Sequence, residues 1–389
     1  MNARRAVPAI VLIALFAASI FFELDPINDN SSPKFYVGVE FAYSSNLNDS
    51  QVNLNALKAL VDKVENYTNL FVIGIPEISL NQSLLNESCD YISNAGLNFI
   101  VLFTDITTYN YAPHDWTMMA QQKYGTKFLG TYRLDEPGGK ELENNSTERF
   151  LNPSSFDPAV ENYTGASQEY VGFLQSHIKY FHQALYPTLF TSDFGLYWFD
   201  YKSGYNTVFA EFVWNQSRQM TISLCRGAAA AQNRDWGVTV TWMYDKAPYI
   251  ESGQQLYSDL TLAYDAGAKY AVVFDYPNST QYGILTEEHF AALKNFWNYV
   301  ENNPQNHGAN QGKVAYVLPQ GYGFGFRSPT DTIWGIWNAD SLSAKIWNDT
   351  NNLINQYGPN LDITYNDPQY LNTITSHYDK LFFWNETIN

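Results

Sequence analysis

Two adjacent carboxylates stand at the end of one apolar run: Thr131-Tyr132-Arg133-Leu134-Asp135-Glu136, followed at once by the breaker Pro137-Gly138-Gly139. An acid with a negative neighbour holds its proton more tightly, so such a pair can serve as donor and acceptor in one site. Acids recur at the ends of the other β-type runs: Glu40, Glu77, Asp105, Asp193, Glu211, Asp245 and Asp275. Turns favour Asp, so chance supplies part of the pattern. Glu40, Glu77 and Glu211 weigh more, because Glu is disfavoured in strands. There is no CxxC, HxH or HExxH motif and there are only 6 His, so neither a transition-metal site nor a cofactor is expected. A ring of carboxylates suits sugars, since each can accept hydrogen bonds from a pair of hydroxyls. Tyr43, Tyr132, Tyr197, Trp198, Trp214, Trp242, Tyr244 and Tyr276 lie near the same run ends. Each can stack on a pyranose face or simply pack. The expected ligand contacts are Glu40, Glu77, Tyr132, Asp135, Asp193, Trp242, Tyr244 and Asp275.

The elements that would position these residues alternate along the chain. The β-type runs are 35–41, 70–75, 98–103, 128–134, 188–191, 207–212, 237–243 and 270–274. Most are continuously apolar, as strands covered on both faces must be. Helical stretches separate them. In 51–65 the apolar positions Leu54, Leu57, Leu60, Val61 and Val64 follow a period near 3.6. The link after the fifth run is short enough for only a stub helix. Eight βα units predict an α/β fold, a (β/α)8 TIM barrel over 34–303, with its working face at the C-terminal ends of the strands. An open doubly wound sheet is the alternative, and the lack of a GxGxxG after the first run counts against it. A Pro/Gly/Asn-rich linker at 304–312 leads to three further β-type runs within 313–389, a small βαβαβ lobe. Its run Gln320-Gly321-Tyr322-Gly323-Phe324-Gly325-Phe326-Arg327 reads as structural.

Asp135-Glu136-Pro137 at the end of the fourth strand resembles the Asn-Glu-Pro motif of the large superfamily of barrel glycoside hydrolases. The resemblance implies Glu136 as general acid/base. Asp replaces Asn here and adds a negative neighbour. That superfamily carries its nucleophile Glu at the end of strand seven, where this chain has Trp242-Met243-Tyr244-Asp245. The second carboxylate is therefore sought in Glu211 first, then Asp245, then Glu251. The Asp-x-Asp-x-Glu motif of chitinase-type barrels is missing from strand four. The overall layout is also similar to secreted archaeal proteins that join a barrel to a small lobe.

Composition sets the surroundings. The 389 residues carry a net charge of −17, which excludes nucleic acid as a partner. Arg4 and Arg5 precede an uncharged run from Ala6 to Phe22, and Glu23 and Asp25 follow it. Residues 1–23 thus read as a signal peptide or a membrane anchor with a cytoplasmic N-terminus, and 24–33 as a tether. Asn-x-Ser/Thr sequons at Asn30, Asn48, Asn66, Asn81, Asn86, Asn144, Asn145, Asn162, Asn215, Asn278, Asn348 and Asn385 predict a glycoprotein outside the cell. Cys89 and Cys225 can form one disulfide or remain two buried thiols. The function these features predict is cleavage of extracellular or cell-surface glycans by paired carboxylates. The alternatives are a non-catalytic glycan-binding or cell-envelope glycoprotein, and an enzyme whose acid ring holds Mg²⁺ or Ca²⁺.

Overall fold

Eight short runs pair into one closed ring. In the computed structural model, which describes residues 35–42, 50–104, 109–143, 149–157, 160–179, 188–276 and 279–388, these are β1 (Tyr36–Phe41), β2 (Leu70–Ile73), β3 (Asn98–Phe103), β4 (Phe128–Asp135), β5 (Thr188–Asp193), β6 (Thr207–Phe212), β7 (Asp235–Val240) and β8 (Tyr270–Asp275). Each pairs in parallel with the next, and β1 pairs with β8 from Tyr36↔Tyr270 to Phe41↔Asp275. That last pairing closes the barrel and removes the open sheet. The apolar run at 6–22, the tether, Tyr43, Asp105 and the sequons at Asn30, Asn48, Asn144, Asn145 and Asn278 lie outside the described residues. Among the described residues no helix is long and apolar enough to cross a membrane.

The continuous apolar strands follow from burial on both faces. All six residues of β1 and of β6 are buried. Inward-facing side chains fill the ring with Tyr36, Leu70, Val72, Ile100, Tyr132, Phe190, Phe209, Tyr270 and Val272. Phe190 stacks on Phe209 at 5.5 Å, and Tyr36 on Tyr270 at 5.1 Å. The barrel centre is thus packed, and side chains can meet a ligand only at its ends. Outward-facing residues meet the helices, whose apolar stripes cover them; Ser50–Val64 buries Leu54, Leu57, Leu60, Val61 and Val64.

The C-terminal lobe is a parallel three-stranded sheet of β9 (Val314–Leu318), β10 (Leu361–Tyr365) and β11 (Lys380–Phe383), in the order β10-β9-β11. It packs on the barrel helix Arg218–Ala231. Arg226 pairs with Asp362 at 2.7 Å and donates to the carbonyls of Asn310, Pro359 and Leu361. In the run 320–327, Tyr322, Phe324 and Phe326 are buried, and Trp334 donates its Nε1–H to the Gly321 carbonyl. Cys89 and Cys225 are both buried free thiols.

Candidate active site

The fourth strand ends in a strained turn. Its register with β5 slips between Tyr132 and Asp135, and Leu134 (φ 56°) and Glu136 (φ 50°, ψ 49°) both lie in the left-handed region. For a residue with a Cβ this conformation costs roughly 1–3 kcal/mol and must be held by its surroundings. Asp193 does so. Its Oδ2 accepts from the Gly138 amide at 2.7 Å and its Oδ1 from the Gly139 amide at 2.8 Å. A Cβ on Gly138 would fall 2.4 Å from that Oδ2, so glycine is required for the approach. The Glu136 amide donates to the Ser192 carbonyl at 3.1 Å. The turn thereby aims Glu136 across the barrel mouth.

There it meets Glu211, which projects inward from β6, two residues past the inward-facing Phe209. The two carboxyls lie close enough for each to act on the other's proton. Burial, followed by the charge of Asp135, raises Glu136 to about 7. Burial also pushes Glu211 well above the usual carboxylate range, and Glu136 and Asp135 add to the effect. Glu40, inward at the top of β1, is raised to about 8 by burial and by Asp135. A Cβ on Gly74 would stand 2.4 Å from Glu40 Oε1, so the glycine after β2 leaves that carboxyl its space. The Tyr132 hydroxyl lies 2.6 Å from Asp135 Oδ1 and 2.7 Å from Ser192 Oγ; Ser192 Oγ lies 2.5 Å from Glu211 Oε1. Four carboxyls and two hydroxyls thus share one corner of the mouth, with Lys140 at its edge, 3.8 Å from Asp135 Oδ2. Such a cluster can store and move protons at neutral pH.

The other expected contacts are placed differently. Asp193 and Asp275 do not face the mouth: both are fully buried on the outer side of their strands. Asp275 Oδ1 accepts from the Ile284 amide at 2.7 Å, fixing the loop after β8 much as Asp193 fixes the turn after β4. Strand parity explains both, since Ser192 and Phe274 point inward and their successors must point out. Glu251 is also buried, 3.3 Å from Arg218 and beside Asp259. Asp245 stands exposed because β7 ends at Val240, earlier than expected. Beyond it the amides of Met243 and Tyr244 bond to the Tyr249 carbonyl within the loop rather than to a neighbouring strand. Glu77 lies partly buried in the short helix Pro76–Ser79. Trp242 stacks parallel to Tyr276 at 6.0 Å and donates its Nε1–H to the Tyr276 carbonyl. Tyr244, Tyr276 and Trp214 are 49%, 41% and 40% exposed. Tyr197 and Trp198 are buried. Ser192 was not expected from the sequence, though the inward parity of Phe190 marks it. Among the described residues, no three His, Cys, Asp or Glu side chains are grouped to hold a metal ion.

No protein-family model matches the chain, and no curated protein matches it either. Among solved structures, the GH5_18 protein of Streptomyces cattleya in complex with GlcNAc superposes with a TM-score of 0.55 at 13% identity, over 91% of this chain and 99% of that one. The likeness is one of fold, a closed (β/α)8 barrel. An endo-1,4-beta-mannanase from Eisenia fetida (TM-score 0.46, 14% identity, 72% of this chain and 94% of the other) also matches. So does a beta-mannanase from the mussel Mytilus edulis (TM-score 0.44, 8% identity, 67% and 91%).

Proposed function

We propose that this protein is a glycoside hydrolase in which Glu136 is the general acid/base and Glu211 the nucleophile. The observation that carries the reading is a neighbouring pair of carboxyls, Glu136 after β4 and the buried, inward-facing Glu211 on β6, at the C-terminal mouth of a packed barrel. A neighbouring pair suits a retaining site, whose carboxyls stand ~5–5.5 Å apart, better than an inverting site, which admits a water between groups ~6.5–9.5 Å apart. Glu211 would attack the anomeric carbon while Glu136 gives its proton to the departing oxygen. Glu136 would then take a proton from the water that releases the sugar. A value near 7 lets Glu136 play both parts at neutral pH. Glu40, Glu77, Tyr132 and Asp135 would meet sugar hydroxyls, and Trp242 and Tyr244 a pyranose face. Asp245, on the same loop, is left as an outer contact.

The substrates would be glycans outside the cell or on its surface. The apolar run at 6–22, as signal peptide or anchor, supports that placement. So does the exposure of the sequon residues Asn66, Asn162, Asn215, Asn348 and Asn385. Asn81 and Asn86 are partly buried, and their side-chain oxygens accept from the Ser83 amide and from Trp116 Nε1. The GlcNAc of the Streptomyces complex makes N-acetylhexosamine polymers the first substrates to try, with mannans next. Replacing Glu136 by Gln and measuring the release of reducing ends from such a panel tests the assignment. The expected loss is about 10²–10⁴-fold. Unchanged turnover would remove Glu136 from the mechanism.

A further inference from the structure

Four side chains form a line across the barrel mouth: Asp135, Tyr132, Ser192 and Glu211. The successive O···O distances are 2.6, 2.7 and 2.5 Å. Contacts this short each need a proton between the oxygens. Three contacts need three protons, and the two hydroxyls supply one each. The third must sit on a carboxyl at one end. The Asp135 side chain is 55% exposed and has Lys140 beside it. Glu211 is 3% exposed, and the carboxyl of Glu136 is its neighbour. The proton therefore belongs on Glu211, and the chain runs Glu211 to Ser192 to Tyr132 to Asp135. The second contact of Ser192 with Asp135, at 3.2 Å, offers a shortcut but does not change the count.

We propose that Ser192 and Tyr132 are a hydroxyl relay that carries the proton of Glu211 to Asp135 and so to solvent, leaving Glu211 as a free carboxylate. The inference rests on the reading of Glu211 as nucleophile. In the transfer the Glu211 O–H bond breaks as Ser192 Oγ takes that proton. Ser192 gives its own proton to Tyr132 Oη, and Tyr132 gives its own to Asp135 Oδ1. One proton moves, both hydroxyls end neutral, and no electrons change hands. Asp135 then releases the proton to water, and the reverse path restores the resting state. Among the described residues, Glu211 Oε2 meets no hydroxyl or amide donor. Thr239, its register partner in β7, has a hydroxyl that also lacks one.

The groups around Glu211 are Tyr132, Asp135 and Glu136 from β4 and its end, Ser192 from β5, Tyr197 from the helix Tyr197–Ser203, and Thr239 from β7. Glu40 of β1 acts on Tyr132, and Lys140 is the cation beside Asp135. Ser192 accepts from the protonated Glu211 and donates to its carboxylate; the second, charge-assisted bond is the stronger, so losing the hydroxyl makes the proton harder to remove.

The test is an infrared pH titration of the full chain, in which the carboxylic band lost in Glu211→Gln identifies Glu211. In Ser192→Ala and in Tyr132→Phe its midpoint is expected to move up by about one pH unit or more. Ser192→Thr keeps the hydroxyl and should keep the midpoint. The acid limb of kcat/KM should follow the same shifts, which a merely structural role would not produce. If Ser192→Ala fails to fold, Tyr132→Phe carries the test, since its ring still packs edge-on against Phe209 at 6.5 Å. An unmoved midpoint in a folded variant overturns the relay while Glu136 and Glu211 keep their roles. Lack of any turnover by the wild type overturns the enzyme reading, and the infrared titration still decides the relay.

Discussion

Two regions of this molecule bury carboxyl groups in opposite company. At the seam between barrel and lobe, Asp362 meets the Arg226 guanidinium at 2.7 Å and the Tyr378 hydroxyl at 2.9 Å. At the barrel mouth, Glu136 and Glu211 are neighbours, the charge of Asp135 acts on both and on Glu40, and the nearest cation sits at the edge. A buried acid matched to a cation fixes the chain in place. A buried acid that faces other acids works against folding unless it keeps a proton. The first arrangement is found where two sheets must be held together. The second is found where barrel enzymes do chemistry. Acid company alone does not mark a site, since Asp193, which holds the turn after β4, is itself buried beside Asp200; what distinguishes the mouth is that its acids face the open end of the barrel.

The largest effect that can break this contrast is on turnover. If Glu211 is the nucleophile, Glu211→Gln should lower kcat/KM about 10³-fold or more. Thermal unfolding of the same variant should be unchanged or shifted upward, because an acid leaves an acid cluster. Asp362→Ala should do the reverse. It strands the buried Arg226 and should lower stability by about 3–5 kcal/mol, read by urea unfolding. Its folded fraction should turn over at the wild-type rate. Equal losses of stability in both variants would erase the distinction.

Much of the scaffold was legible in the sequence, because a parallel barrel writes its strands as continuous apolar runs. Seven of the eight runs overlap the observed strands to within two residues at either end. The eighth, expected over 237–243, begins at Asp235 and stops at Val240, since the loop after it bonds to itself through Tyr249. That early stop leaves Asp245 exposed in the loop rather than at a strand end. The pair Glu136 and Glu211 was legible as acids at strand ends. Which acids point inward was not legible from position alone. Asp193 and Asp275 end their strands as Glu211 nearly does, yet they sit on the outward parity, and only the filling of the barrel by Phe190, Phe209 and Val272 reveals which parity is which. The αL turn at Glu136 was hidden too, because the register slip before it depends on pairing with β5.

A smaller effect sharpens the comparison through pH. Glu40 is raised to about 8 in the folded chain, so between its unfolded value near 4.5 and that point the folded state binds the extra proton. Stability contributed by that proton is present in full below the unfolded value and is lost as pH rises toward 8. Glu136, raised to about 7, acts with the same sign. Urea unfolding should therefore show a chain more stable near pH 5 than near pH 8, by a few kcal/mol in total. Glu40→Gln cannot ionise and should flatten the slope and gain most at pH 8. A slope identical to that of the wild type would mean that water or an unseen neighbour already solvates Glu40.

The smallest expected effect lies at the outer edge of the same mouth. Tyr244, on the loop after β7, is nearly half exposed, so the fold gains little by burying it. Trp242 and Tyr276 stack beside each other near it, with Trp242 also tied to the Tyr276 carbonyl, so those two already serve one another. Trp214, Tyr244 and Tyr276, on the loops after β6, β7 and β8, each leave two-fifths or more of their surface in water. Tyr244→Ala should leave the unfolding midpoint within about 0.5 kcal/mol of the wild type. If Tyr244 lies against a sugar face, KM should rise by about threefold to tenfold with kcat nearly constant, the size of one aromatic contact. A fall in kcat at constant KM would instead place Tyr244 with the inner acids and redraw the border between holding the glycan and cutting it.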